Sequence, residues 1–158
     1  MVDLLQQLAE METDPAVRLR APAGQPRIAV PPDLALFHTR CGGATLFADS
    51  IRPIDIVAPS GLVPASTRHV GAHPLGDRSD DWFELVFDGP DLAVVIDLHP
   101  DRIGRCYDGS SDGYGLRGSM PVVATSFTDL LDRLRSNTDP TRLYWTLPSW
   151  QPLGDAYD

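Results

Sequence analysis

A chain of 158 residues with 42% hydrophobic and 22% charged residues is long enough for one hydrophobic core and too apolar to be disordered. Its formal net charge is −9, and every basic residue is an arginine. This composition excludes chemistry that needs a lysine of the chain, such as a Walker P-loop, a kinase ATP site or a pyridoxal Schiff base, and it disfavours nucleic acid and anionic membrane as partners.

In chain order, Leu4, Leu5, Leu8 and Met11 recur at helical spacing and predict a short amphipathic helix over 2–11. Asp14-Pro15 predicts a second helical turn that ends before the Ala21–Gly24 stretch. Pro31-Pro32-Asp33 reads as a helix start, because proline is tolerated in the first turn and aspartate favours the positive end. Leu34, Phe37 and Cys41 supply its apolar stripe, and Gly42-Gly43 ends it. Short strands are expected over 44–47 and 54–57, a loop or single helical turn over 59–65, and an exposed loop over 71–79.

The stretch 81–108 is the organising centre. Trp82 to Phe87 alternates with a period of two, Leu92 to Leu98 is apolar on both faces as far as Ile96, and Ile103 to Tyr107 completes a three-stranded meander. Asp88-Gly89-Pro90-Asp91 and His99-Pro100-Asp101-Arg102 are the turns. This arrangement places Phe83 opposite Ile96 and Trp82 opposite Asp97. It also puts Phe83, Leu85, Phe87, Leu92, Val94, Ile96 and Leu98 on one face that helices must cover. Asp97 is expected to tie down the turn that follows it. After a glycine-rich loop over 109–120 come a short extended piece over 121–124 and a helix opened by Ser126-Phe127-Thr128-Asp129, a capping box with aspartate in the fourth place. Phe127, Leu130, Leu131 and Leu134 give that helix a face for the sheet. The tail 137–158 carries Tyr144, Trp145 and Trp150, too aromatic to be left free in solvent.

Three catalytic or binding patterns overlap in the glycine-rich loop. Gly113 to Gly118 spells G-x-G-x-x-G and Gly109 to Gly113 spells G-x-S-x-G, but both require a helix directly afterwards, where Ser119-Met120-Pro121 stands. Asp108, Ser110, Asp112 and Gly113 imitate half of an EF-hand, with Ser119 where the closing glutamate belongs. His38-x-x-Cys41 and His69-x-x-x-His73 complete no zinc set, and Cys41 lies on an apolar stripe. No catalytic residue, metal site or cofactor is therefore expected. Two cysteines, Cys41 and Cys106, are too few for a disulfide scaffold, and the N-terminus has no basic segment leading into an apolar core. The expected compartment is the cytoplasm, with both thiols reduced and structural. The charge is concentrated: ten acids between Asp77 and Asp112 face three arginines, an acidity that suits either a solvated surface or a basic protein partner.

The order of these pieces resembles the SUKH superfamily, the Smi/Knr-type domain. The residues that carry the resemblance are Pro31-Pro32-Asp33-Leu34 ending in Gly42-Gly43, the strand opened by Trp82, Val95-Ile96-Asp97-Leu98 followed by Gly104, and Ala124-Thr125-Ser126-Phe127 leading to Leu130-Leu131. The resemblance spans roughly residues 1–136 and implies an α+β fold. An antiparallel or mixed sheet around the meander, about 82–107, would be covered by N- and C-terminal helices within a single domain, with 137–158 as an aromatic extension. It further implies a bacterial immunity protein that binds and blocks a cognate toxin, here a basic one. A regulatory scaffold of the same fold is the alternative, and a small hydrolase or metal protein built on Cys41 or the histidines is a third reading from another class. The expected partner surface comprises Asp80, Asp81, Asp88, Asp91, Asp101, Asp108 and Asp112, with Trp82 and Tyr114 as aromatic anchors.

Overall fold

Each strand of the sheet pairs with the next one along the chain, so the topology is an uninterrupted antiparallel meander. A computed structural model of the chain describes residues 2–68, 76–110 and 112–158. Among these the strands are β1 (Arg18–Leu19), β2 (Ala44–Leu46), β3 (Ile54–Ile56), β4 (Trp82–Asp88), β5 (Asp91–Asp97), β6 (Cys106–Asp108) and β7 (Val122–Ala124), in spatial order β1 to β7. Three helices, α1 (Leu4–Thr13), α2 (Pro32–Arg40) and α3 (Phe127–Arg135), complete an α+β fold whose sheet is antiparallel throughout.

The central hairpin has the expected register, with Trp82 opposite Asp97 and Phe83 opposite Ile96. Gly89 adopts φ +58, the left-handed conformation that a two-residue connection between twisted strands demands. Irregularities at Glu84/Val86 and Val86/Phe87 change the faces. Leu85 and Val86 both enter the helical core, whereas Leu92, expected beside them, packs on the opposite face. Pairing of β6 begins only at Cys106, and Ile103 sits in the turn at 42% exposure. The reason is Asp97, whose backbone N–H and C=O bond to Arg105 O and Gly104 N and so hold 98–105 as one long turn.

Both helix termini that matter for the core are locally encoded. Ser126 Oγ accepts from Asp129 N at 3.0 Å, and Asp129 reaches back to Thr125 N at 2.9 Å, one residue beyond the N-cap N–H that the ideal box uses. Asp33 in the first turn of α2 accepts from the N–H and hydroxyl of Thr128, both at 2.9 Å, which locks α2 to α3. After α2, Gly43 has φ +106, and a Cβ there would lie 2.6 Å from Ile56 O, so the helix can stop against β3 only at a glycine. In α1 the buried stripe is Leu4, Leu8 and Met11, while Leu5 is 51% exposed. Gln7 takes the remaining inward place because its amide donates to Val2 O and Thr128 O. The helical turn expected after Asp14 is instead an Asx turn, Ala16 N to Asp14 Oδ1 at 2.9 Å, leading into β1.

The helices cover one face. Phe37, Phe127, Leu130, Leu131 and Leu134 meet Leu85, Val94 and Ile96 there, with Phe83 packed at the margin, and the Phe37 and Phe127 rings lie 4.9 Å apart. The other face is covered without α-helices, with Ala65 of a 3-10 turn buried against it. Trp82, Val95 and Tyr107 are roofed by Met120 of the 109–120 loop and by Ala156 and Tyr157 of the tail. The tail thus packs on both faces, because Tyr144, Trp145 and Trp150 lie against the helical core. Both ends of the sheet are blunted as well: β1 has two residues, and residues 153–156 pair along the outer side of 120–122.

Candidate functional site

The meander places its acids at two separate ends. A seven-residue strand spans roughly 20 Å, and β4 and β5 are each seven residues long. Asp88 and Asp91 flank the hairpin turn at one end. Asp81 and Asp101 lie at the other, with Asp80 in the 3-10 turn Arg78–Asp81 beside them. Asp108 pairs with Val94 on the hairpin-turn half, and Asp112 follows in the loop.

Several of these charges are neutralised internally. Asp97 is fully buried and accepts from Arg102 Nε at 2.8 Å, Tyr107 Oη at 2.6 Å and His99 N at 3.0 Å. Such an acid survives burial only because a cation and two further donors satisfy it. It fastens the 99–102 turn, as expected. Burial, followed by the neighbouring Asp97 carboxylate, pushes the Tyr107 phenol well up, so it stays a donor. Glu84 is buried against Arg68 Nε at 2.6 Å, and the Arg68 guanidinium also lies over the Phe87 ring. Asp88 and Asp91 sit directly opposite each other, an arrangement of like charges that is unfavourable in a hairpin. Arg52 relieves it by pairing with Asp88 through Nε at 2.7 Å and through Nη2. Asp77 accepts from Ser79 and Tyr157, and Asp108 from the N–H and hydroxyl of Ser110.

What remains on the surface is smaller than the sequence suggests. Asp80, Asp91, Asp101 and Asp112 are exposed, with Asp101 at 86%. Asp81 is half-buried, 3.8 Å from Arg102 Nη2, and Asp88 and Asp108 are half-buried too. Trp82 requires a correction. It is 0% exposed, enclosed by Tyr107, Tyr114 and Tyr157 at ring distances of 5.1, 5.5 and 5.7 Å, so it supports the surface from beneath and cannot itself reach a partner. Tyr114 is half-buried with its ring edge on Trp82, and burial raises its phenol pKa. Sequence reasoning passed over Arg52 and Arg68, which come from outside the acidic stretch. The only signal for them was the absence of lysine, which leaves every ion pair of the chain to arginine or histidine.

The nucleophile and metal candidates point inward. His38 is buried, with Nε2 3.0 Å from Val57 O, and desolvation lowers its pKa. Cys41 Sγ lies 3.6 Å from Phe37 O, and burial raises both its pKa and that of Cys106. Both thiols are free. No group of His, Cys, Asp or Glu among the described residues could hold a metal ion, and His69 and His73 lie outside those residues. The G-x-G-x-x-G stretch is a series of turns followed by β7, with no helix N-terminus for a phosphate. No helix among the described residues is long and apolar enough to cross a membrane.

Over 129 residues the chain is 39% identical to the immunity protein YokJ of Bacillus subtilis (strain 168), an alignment covering 82% of this chain and 78% of the relative. The chain belongs to the family of the immunity protein YokJ. No protein-family model matches the chain. No solved structure matches it either.

Proposed function

We propose that this chain binds a cognate toxin and neutralises it by protein–protein contact, without chemistry or a cofactor of its own. The observation that carries this reading is the 39% identity to the immunity protein YokJ across most of both chains. The internal placement of His38, Cys41 and Cys106 agrees with a binding role. In this reading the protein acts in the cytoplasm, has the SUKH-type fold that its sequence resembles, and meets a basic toxin.

The contact surface comprises the exposed carboxylates Asp80, Asp91, Asp101 and Asp112, the half-buried Asp81, Asp88 and Asp108, and the exposed part of Tyr114. Trp82 acts only as its support. Exposed ion pairs contribute about 0–1 kcal/mol each, so these acids govern encounter rate and partner choice more than affinity. Asp88 is excluded from a charge-reversal test because it already serves Arg52. Reversal of Asp80, Asp91 and Asp101 to arginine is expected to slow association with the toxin encoded by the adjacent gene and to flatten its salt dependence, with the fold intact. An unchanged rate and salt slope would place the contact elsewhere. Failure of the chain to protect cells from that toxin, or turnover of a small substrate, would overturn the immunity reading itself.

A further inference from the structure

The turns of 112–118 carry two of the proposed contact residues, Asp112 and Tyr114, and belong to no strand. They close on themselves, Leu116 N to Gly113 O at 2.9 Å and Ser119 N to Leu116 O at 3.1 Å. Gly115 and Gly118 take φ +81 and +83, and glycine gives up more conformational freedom than any other residue when it is fixed. Such a segment needs bracing from outside, and the tail supplies it. Met120 N donates to Asp155 Oδ2 at 3.0 Å, Ala156 N donates to Met120 O at 2.8 Å, and the Tyr157 hydroxyl lies 2.9 Å from Gly115 O. The Tyr114 ring rests edge-on against Trp82, and the exposed Arg117 guanidinium lies 5.9 Å from the centre of the Tyr157 ring.

The same stretch of tail holds a second segment. Asp80 stands on the 3-10 turn Arg78–Asp81, which Asp77 caps. Tyr157 Oη is 2.9 Å from Asp77 Oδ2, and Arg78 Nη1 donates to the carbonyls of Ala156 and Asp158, each at 3.0 Å. One phenol therefore stands between two segments that are far apart in the chain, and it shares its single hydrogen between an acceptor on each. Burial, followed by the Asp77 carboxylate, keeps this phenol well above its ordinary pKa, so it remains a donor. Its ring packs on Trp82 at 5.7 Å. At 8% exposure Tyr157 offers a partner almost no surface of its own, so what it contributes is placement.

We infer that Tyr157 is a positioning residue for the toxin contact, whose hydroxyl and ring fix the segment bearing Asp80 and the segment bearing Asp112 and Tyr114 in one arrangement before the partner arrives. The inference rests on the toxin-binding reading and adds a residue that shapes the contact surface from beneath. A surface held in its bound form spares the ordering cost of association. Loss of the clasp raises Kd in inverse proportion to the fraction of molecules still correctly arranged. With the purified toxin encoded by the adjacent gene as probe, at a temperature where the variants are folded, Tyr157→Ala is expected to raise Kd by about tenfold, and Arg78→Gln and Tyr157→Phe by about threefold each. Ile56→Val loosens the helical core about as much as Tyr157→Phe loosens the tail, and it is expected to leave Kd within about twofold of the parent value. Hydrogen exchange of the free Arg78→Gln and Tyr157→Phe proteins is expected to quicken at 77–80 and 112–118 and to stay parent-like in α3. Parent-like Kd for Arg78→Gln and Tyr157→Phe, unchanged exchange in those two segments, or an equal loss of affinity in Ile56→Val overturns the positioning role while leaving toxin binding in place. These milder variants carry the test even if Tyr157→Ala does not fold. A parent chain that does not bind the toxin at all overturns the functional reading beneath it.

Discussion

On the helical face of the sheet, Leu130, Leu131 and Phe127 of α3 and Phe37 of α2 press aliphatic and aromatic surface onto Leu85, Val94 and Ile96. On the opposite face, Trp82, Tyr107 and Tyr157 do the same task with rings that carry polar atoms, under a roof of loop and tail. The first face is held by non-directional burial, which needs only the correct periodicity. The second depends on directed bonds as well. Tyr107 donates to Asp97, Tyr157 to Asp77 and Gly115 O, and Arg78 to the carbonyls of Ala156 and Asp158. An irregular cover has no regular ladder to satisfy its backbone, so side chains must supply the missing partners.

The sharpest break in this comparison comes from emptying each face in turn. Trp82→Ala is expected to lower stability by about 3–5 kcal/mol, as truncation of a fully buried large ring does. A urea titration followed by circular dichroism measures it, and a loss under 1 kcal/mol would mean that the loop-and-tail face is loosely packed. Leu130→Ala should remove about 2–5 kcal/mol from the helical face. An unaltered melt would show that α3 does not cover the sheet.

His38 makes the helical face sensitive to acid. Its folded pKa lies below the ordinary value of about 6.5 because burial disfavours the imidazolium, partly offset by the Val57 carbonyl. As pH falls, the unfolded chain therefore takes up this proton first. The contribution to stability is intact above about pH 6.5 and is lost progressively below it, until the folded imidazole itself titrates. Urea midpoints at pH 7.5 and 5.5 should accordingly differ more for the parent than for His38→Leu, and equal differences would remove His38 from the pH response. The smallest expected effect belongs to the tail. Tyr157→Phe keeps the ring against Trp82 but deletes the hydroxyl that reaches Asp77 and Gly115 O. A loss of about 0.5–1.5 kcal/mol is expected, together with faster exchange of the amides around 77–79 and 115. A parent-like exchange pattern there would show that the tail covers this face by its ring alone.

Local order was legible wherever neighbouring residues decide it. Alternation marked β4, the Gly89-Pro90 pair set the hairpin, and the resulting register of Trp82 with Asp97 was correct. The Ser126–Asp129 cap, the Pro32 start and the Gly42-Gly43 stop bounded α3 and α2 because caps act within four residues. Asp97 was placed correctly as the fastener of its turn. The bulges in β4 were not legible. A one-residue irregularity leaves no compositional trace, yet it sends Leu92 to the other face and brings Val86 inward. Leu5 matched the α1 spacing as well as its neighbours did, and only the direction of the sheet decided that it faces solvent.

By itself, the sequence determined the central hairpin and its register, the helices that cover one face and the concentration of acids around the hairpin, because each follows from spacings of two to four residues or from composition. Tertiary structure alone decided which of those charges remain available. Arg52 finds Asp88 across 36 residues, Arg68 finds Glu84 across 16 and Tyr157 finds Asp77 across 80. It also decided that Trp82 is fully buried, and that the most exposed large apolar side chain among the described residues is Ile51. Ion pairing and burial are properties of groups brought together by the closed sheet, and their separation along the chain carries no information about the few ångströms that set their energy.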